Sequence, residues 1–230
     1  MNYFAHAFSF LDNDSTSTNI DPYFIAGAAV PDWLNVVDRK VRARSKSAKK
    51  FLLNSDPEFA SLAKGIVQHH HDDDWFHQTR VFNELILTFA IEIRDLLAPD
   101  DGFRPSFLGH ILVELFLDAE LIRHSADKIE VYYNVLNRVD RTKVEKLVGV
   151  IAGKPATHMS WFIERFIEVR FLFDYSDDER LIGRLNQIMQ RVKLPPLPKS
   201  LMPFFEPARH QVAENINSLF FDNRNSALPH

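Results

Sequence analysis

Residues Gly65 to His77 constrain the fold more than any other stretch of the chain. They read Gly65-Ile66-Val67-Gln68-His69-His70-His71-Asp72-Asp73-Asp74-Trp75-Phe76-His77, so four of the ten histidines and three consecutive aspartates fall together. No Pro interrupts the run, no Gly follows Gly65, and amphipathic patterns flank it on both sides. Those features predict helix. At ~100° per residue, His69, Asp73 and His77 share one stripe, and His70 with Asp74 forms a neighbouring i, i+4 pair. An imidazole and a carboxylate one turn apart can grip one divalent cation. The same residues can equally form a solvated acidic face or pair with one another. Ligands converging from elsewhere decide between the two.

The rest of the chain supplies a core for such a helix. It has 230 residues, is 46% hydrophobic and carries twenty Phe and three Trp, which suits a packed globular protein and excludes a disordered one. We read residues 1–222 as a single all-α domain and 223–230 as a frayed tail. Only seven glycines occur, with no period-2 strand run, internal repeat, glycine-rich phosphate loop or nucleophile elbow. Cysteine is absent, so disulfides and thiolate ligands are excluded. One or two metal ions would then be held by His, carboxylate and water, which suits Mn, Fe, Mg, Zn or Ni. A cysteine-free chain also fits a cytoplasmic location. The net charge of −4 gives no pointer to nucleic acid. No uncharged apolar run reaches ~18 residues, so no membrane span is expected. The apolar start from Met1 to Phe10 has no Lys or Arg and makes a poor signal peptide.

Several other elements carry candidate residues. Residues 2–11 read as a short buried helix whose one strongly polar side chain is His6, a pattern more common for a satisfied core histidine than for a ligand. A polar loop over 14–19 precedes a helix from Pro22 to about Val30. Its Ala26-Gly27-Ala28-Ala29 run permits close approach of another backbone. Asp32, after Pro31, either caps the next turn or points into the core beside His6. Between Arg39 and Lys50 lie Arg39, Lys40, Arg42, Arg44, Lys46, Lys49 and Lys50 with no acid among them: a docking surface for an anionic partner, or a solvated face. Asp56-Pro57 signals the start of the helix that leads into the histidine-aspartate run. Phe82, Leu85, Ile86, Phe89, Ile93 and Leu96 continue at helical spacing until the break at 99–102. Phe107 to Ile122 is strongly apolar yet places His110, Glu114 and Asp118 at i, i+4, i+8. Buried alone, such groups would cost several kcal/mol each, so a shared metal ion or a His-Glu hydrogen bond must satisfy them. The remaining segments, 125–138, 140–152, 157–172, 177–192 and 204–221, also read as helices.

Four of these features occur in an order and spacing that resembles the acyl carrier protein phosphodiesterases, distant relatives of the HD-type metal phosphohydrolases. They are Met1-Asn2-Tyr3-Phe4-Ala5-His6, Ala26-Gly27 through Pro31-Asp32, Gly65-Ile66-Val67-Gln68-His69 followed by Asp73, and His110 with Glu114. The resemblance covers about residues 1–120. It implies an HD-like multi-helix bundle with a buried His/Asp metal site, in which His6, Asp32, His69 and Asp73 form the centre. His110 and Glu114 complete that centre and serve in proton transfer, with His77 and His70 in reserve. It implies hydrolysis of a phosphodiester, with removal of the 4'-phosphopantetheine group from acyl carrier protein as the specific activity. Arg39, Lys40, Arg42 and Arg44 would then dock the acidic carrier. The chain departs from the family pattern at His77, where an acid is expected, and at His110-Glu114, where two carboxylates are expected. Zinc-dependent phospholipase C-like proteins, which join a Gly-Ala-x-x-Pro-Asp stretch to helical histidines, offer a competing resemblance. A non-catalytic helical scaffold with a structural metal or polar core network is the reading from a different class.

Overall fold

The protein was analysed as a computed structural model that describes residues 1–11, 19–97 and 105–222. Except for Asn19, the expected polar loop at 14–19, the break at 99–102 and the tail from 223 lie outside these residues. Among the described residues there is no strand, and eleven α-helices follow one another: α1 (Tyr3–Ala7), α2 (Pro22–Val37), α3 (Ser45–Ala48), α4 (Pro57–Phe76), α5 (Arg80–Leu96), α6 (Pro105–His124), α7 (Ala126–Leu136), α8 (Arg141–Ala152), α9 (Met159–Val169), α10 (Asp178–Arg191) and α11 (Phe205–Glu214). The described residues are therefore all-α, as the periodicity predicts. The contacts cluster into two compact units. The first comprises Met1–Asp73 with His124–Phe171, and the second Asp74–Arg123 with Leu172–His230.

The first unit is built on α2, which packs against α1, α7, α8 and α9. Asp21 starts α2 by accepting from the Tyr23 and Phe24 amides at 2.9 and 3.3 Å, with Pro22 at the first helical position. The helix does not stop near Val30 but runs through Pro31 to Val37. An interior Pro removes one backbone hydrogen bond and costs ~3 kcal/mol. Continuation buries Trp33 and Leu34 completely, and each such side chain contributes about 1.5–3 kcal/mol, which outweighs the loss. Asp32 consequently sits inside a helix rather than at the start of a following turn.

The run of small residues on α2 does permit close approach. A Cβ on Gly27 would collide with the Leu62 carbonyl oxygen and lie 3.0 Å from the Gly65 Cα, and a Cβ on Gly65 would collide with the Phe24 carbonyl oxygen. Helices α2 and α4 thus meet backbone to backbone. Asp56 caps α4, accepting from the Glu58 and Phe59 amides at 3.0 and 3.3 Å, and Lys143 of α8 pairs with both Asp56 and Glu58.

In the second unit, α5 buries Phe82, Leu85, Phe89, Ala90 and Ile93 on one face. It packs against α11 and the 3₁₀ turn Lys199–Phe204. Helix α4 ends at Phe76, one residue short of the expected stripe member His77. Thr79 explains the stop: its Oγ1 donates to the Phe76 carbonyl at 2.8 Å and accepts from the Phe82 amide at 3.3 Å, closing α4 and capping α5 in one turn. Gly109 lets α6 seat on α5, because a Cβ there would lie 2.9 Å from the Ile86 carbonyl oxygen.

Candidate metal centres

In the first unit, α1 brings His6, α2 brings Asp32 and α4 brings His69. Each offers one ligand atom, and the three atoms lie within 4.8 Å of one another. His6 is wholly buried and His69 is 3% exposed. Their rings stack with centroids 3.9 Å apart and planes 25° from parallel. His69 Nδ1 lies 2.8 Å from the Ala28 carbonyl oxygen. A carbonyl can only accept, so Nδ1 carries the proton and Nε2 faces the group. Helix α2 therefore both supplies Asp32 and orients the imidazole opposite it.

Asp73, one turn beyond His69, completes the arrangement. Its Oδ2 stands 3.3 Å from His69 Nε2, and its Oδ1 stands 3.4 Å from His6 Nε2 and 2.7 Å from the Met1 amino nitrogen. Burial alone would raise the Asp73 carboxyl. The positive charge of the amino group, with hydrogen bonds from His6 and His69, instead holds it well below the ordinary carboxylate range.

Asp72, absent from the sequence-based set, is 1% exposed. It faces His6 Nδ1 at 3.4 Å and accepts from Gln68 Nε2 at 2.9 Å. The pairing Gln68-Asp72 at i, i+4 is the signal that could have found it. His6 thus has a carboxylate on each ring nitrogen, and a neutral imidazole can donate from only one. Three carboxylates so close together call for more positive charge than the single Met1 amino group beside Asp73 carries, and a cation supplies it. The nitrogen-oxygen donor set and the backbone-oriented His69 fit a divalent metal ion.

His70 does not pair with Asp74, which is exposed. Its Nε2 lies 2.8 Å from the Ala43 carbonyl oxygen. That bond ties the basic segment to α4 at the residue after His69. Arg39, Lys40, Arg42, Arg44, Lys46, Lys49 and Lys50 are all exposed around it, while Val41, Ala43 and Ala48 are buried and anchor the segment.

The second unit holds a separate group. His77, in the turn after α4, and His110 and Glu114, one turn apart on α6, again place ligand atoms within 4.8 Å of one another. Glu114 Oε1 lies 2.9 Å from His77 Nε2 and 3.2 Å from His110 Nε2. The side chains of His77, His110 and Glu114 are 34%, 40% and 17% exposed, so this part of α6 is more open than its apolar sequence predicts. The deeply buried acid on α6 is Asp118. Of the six residues expected in one centre, His6, Asp32 and His69 form one ion-sized group with Asp73 beside it, and His110 and Glu114 form another together with His77. His124, His158 and His210 are exposed. The chain matches no protein-family model, no curated protein and no solved structure.

Proposed function

We propose that the first unit binds a divalent cation and that the protein is a metal-dependent phosphodiester hydrolase, HD-like in its helical site, which releases phosphopantetheine from acyl carrier protein. The observation that carries this reading is the convergence of His6, Asp32 and His69, from three different helices, within 4.8 Å. A bound divalent cation would supply a nucleophilic water near neutral pH and neutralise phosphate oxygens as charge builds up. His69, its Nδ1 proton committed to Ala28, presents Nε2 in a fixed orientation. Asp72 and Gln68 hold the His6 ring from behind. Asp73, at 28% exposed, marks the side open to water and substrate. Its depressed carboxyl keeps it ionised, and so a ligand or orienting acceptor rather than a proton donor. No nucleophilic Ser or Cys is required. The roles of His110 and Glu114 in proton transfer rest on the resemblance alone, and the hydrolytic reading stands on the residues of the first unit.

The choice of an acidic carrier protein as substrate draws on the exposed basic segment, which His70 pins beside His69. Complementary charge there would raise the association rate and make it fall with salt. The test is elemental analysis of the purified protein together with hydrolysis of bis-para-nitrophenyl phosphate and of phosphopantetheinylated carrier protein. Expected are a co-purifying divalent metal, turnover abolished by a chelator, and recovery on adding Mn²⁺ or another divalent ion. No bound metal and no turnover with any added ion would instead identify the group as the polar core network of a non-catalytic scaffold.

A further inference from the structure

The group in the second unit has features that its role in the sequence reading does not use. Both imidazoles present the same nitrogen, Nε2, to the same carboxylate oxygen, at 2.9 and 3.2 Å. Ligands held 2.0–2.1 Å from a tetrahedral zinc-like ion stand about 3.4 Å apart, and about 2.9 Å apart around an octahedral one. These two separations fall on that scale, and all three ligand atoms lie within 4.8 Å of one another.

The surroundings restrict the rings. Phe82 packs on both, with centroids 5.0 Å from His77 and 5.1 Å from His110, and Phe76 lies 5.6 Å from His77. The two imidazole centroids are 4.9 Å apart. Asn83 Nδ2 donates to the His77 carbonyl at 3.0 Å and fixes the backbone of the turn. Gly109 sets α6 directly on α5 beside His110. A polar centre inside an aromatic wall, with its ligands already gathered, is how a metal site is prepared in advance of the ion.

We propose that the second unit carries a metal site of its own, in which His77, His110 and Glu114 bind one divalent late first-row metal ion of the cobalt-to-zinc type. Two imidazoles and one carboxylate favour these ions over Mg²⁺ or Ca²⁺, which take all-oxygen shells. Three protein ligands leave at least one coordination position, and the partial exposure of His77 and His110 gives it access to water or a small anion. The site would exchange its ion with solvent more readily than the buried group of the first unit.

The experiment is titration of the chelator-stripped full-length protein with Co²⁺, read by ligand-field absorption and by equilibrium dialysis. The variants are His110→Ala, Glu114→Gln, His77→Asn and His69→Ala, with far-ultraviolet circular dichroism as the folding control. His110→Gln serves as a second variant should His110→Ala lose helix. The wild type is expected to take up two ions. Each variant at 77, 110 or 114 should weaken one of them by more than about 100-fold and leave the other, since these residues are ligands and even partners of ligands matter 10–100-fold. His69→Ala should remove the other ion and leave the second-unit absorption intact. Metal uptake unchanged by all three second-unit variants would overturn the inference while leaving the hydrolytic reading in place. Loss of one and the same single ion in all four variants would overturn it as well. If His69→Ala changed nothing while His110→Ala removed an ion, the second site would stand and the hydrolytic reading would fall.

Discussion

The two histidine-carboxylate groups use the same residue types under opposite conditions. In the first unit, His6 and His69 are sealed from solvent, and each ring nitrogen that can be assigned faces a protein acceptor. In the second, His77 and His110 are a third or more exposed, and one Glu114 oxygen serves both. Unpartnered polar groups are costly in a low-dielectric interior and cheap where water can reach them. The buried group must therefore be maintained by its surroundings, through Gln68, Asp72 and the Ala28 carbonyl. The exposed group stands against the rings of Phe76 and Phe82. Disturbing the first should affect folding and chemistry together, and disturbing the second its own metal binding alone.

The sharpest break between them is expected from single ligand removals. His69→Ala should lower phosphodiester turnover by more than about 100-fold, and its thermal midpoint should drop because a cavity remains and Asp73 loses one of its partners. His110→Ala should lower its midpoint less than His69→Ala does, since the His110 side chain is 40% exposed. Equal midpoint losses in both would remove the contrast in burial.

Next come the helix joints. Gly27→Ala must push α2 away from the Leu62 carbonyl, and we expect a loss of about 3 kcal/mol or more in urea unfolding. Gly109→Ala meets the Ile86 carbonyl less severely and should cost about 1–2 kcal/mol. A reversed order would mean that the second unit is the more tightly joined.

A smaller effect is expected from reversing charge at Arg39, Lys40, Arg42 and Arg44 together. The KM for carrier protein should rise several-fold at low salt, with hydrolysis of a small diester unchanged. Equal losses on both substrates would show that the segment supports the first unit rather than a partner.

The mildest effect concerns Asp56. A hydrogen bond from Lys143, with the capped amides of α4, holds its carboxyl below the usual value. Its stabilising contribution is therefore complete above the unfolded value of about 3.9 and fades as pH falls through the folded one. Asp56→Asn should melt earlier than the wild type at pH 7, and the two curves should converge on acidification. A gap that widened toward low pH would contradict that sign.

Helical class was legible because periodicity, scarce glycine and the start signal at Asp56-Pro57 all act locally. The close approach at Gly27 was legible for the same reason, since four small residues in a row leave a smooth helix face. The length of α2 was not, because the burial of Trp33 and Leu34 that carries it past Pro31 is a tertiary effect. His77 was misplaced on the stripe because one hydroxyl, at Thr79, ends α4 a residue early. Asp72 was missed because a carboxylate off the chosen stripe looks solvated until α1 is seen to place His6 against it. The expected single centre came from the resemblance, and helical spacing alone cannot say which partner each stripe will meet.

The joint at Gly27 and Gly65 has one more consequence. Most helix pairs are separated by side chains, which can change rotamer and so let the spacing drift with temperature or sequence. Where main chain rests on main chain there is nothing between to rearrange. The spacing of the two backbones that carry Asp32 and His69 is then set by hard contact of main chain on main chain, like a gauge block machined to one length. The precision with which the two ligands face each other is inherited from positions that carry no chemistry at all.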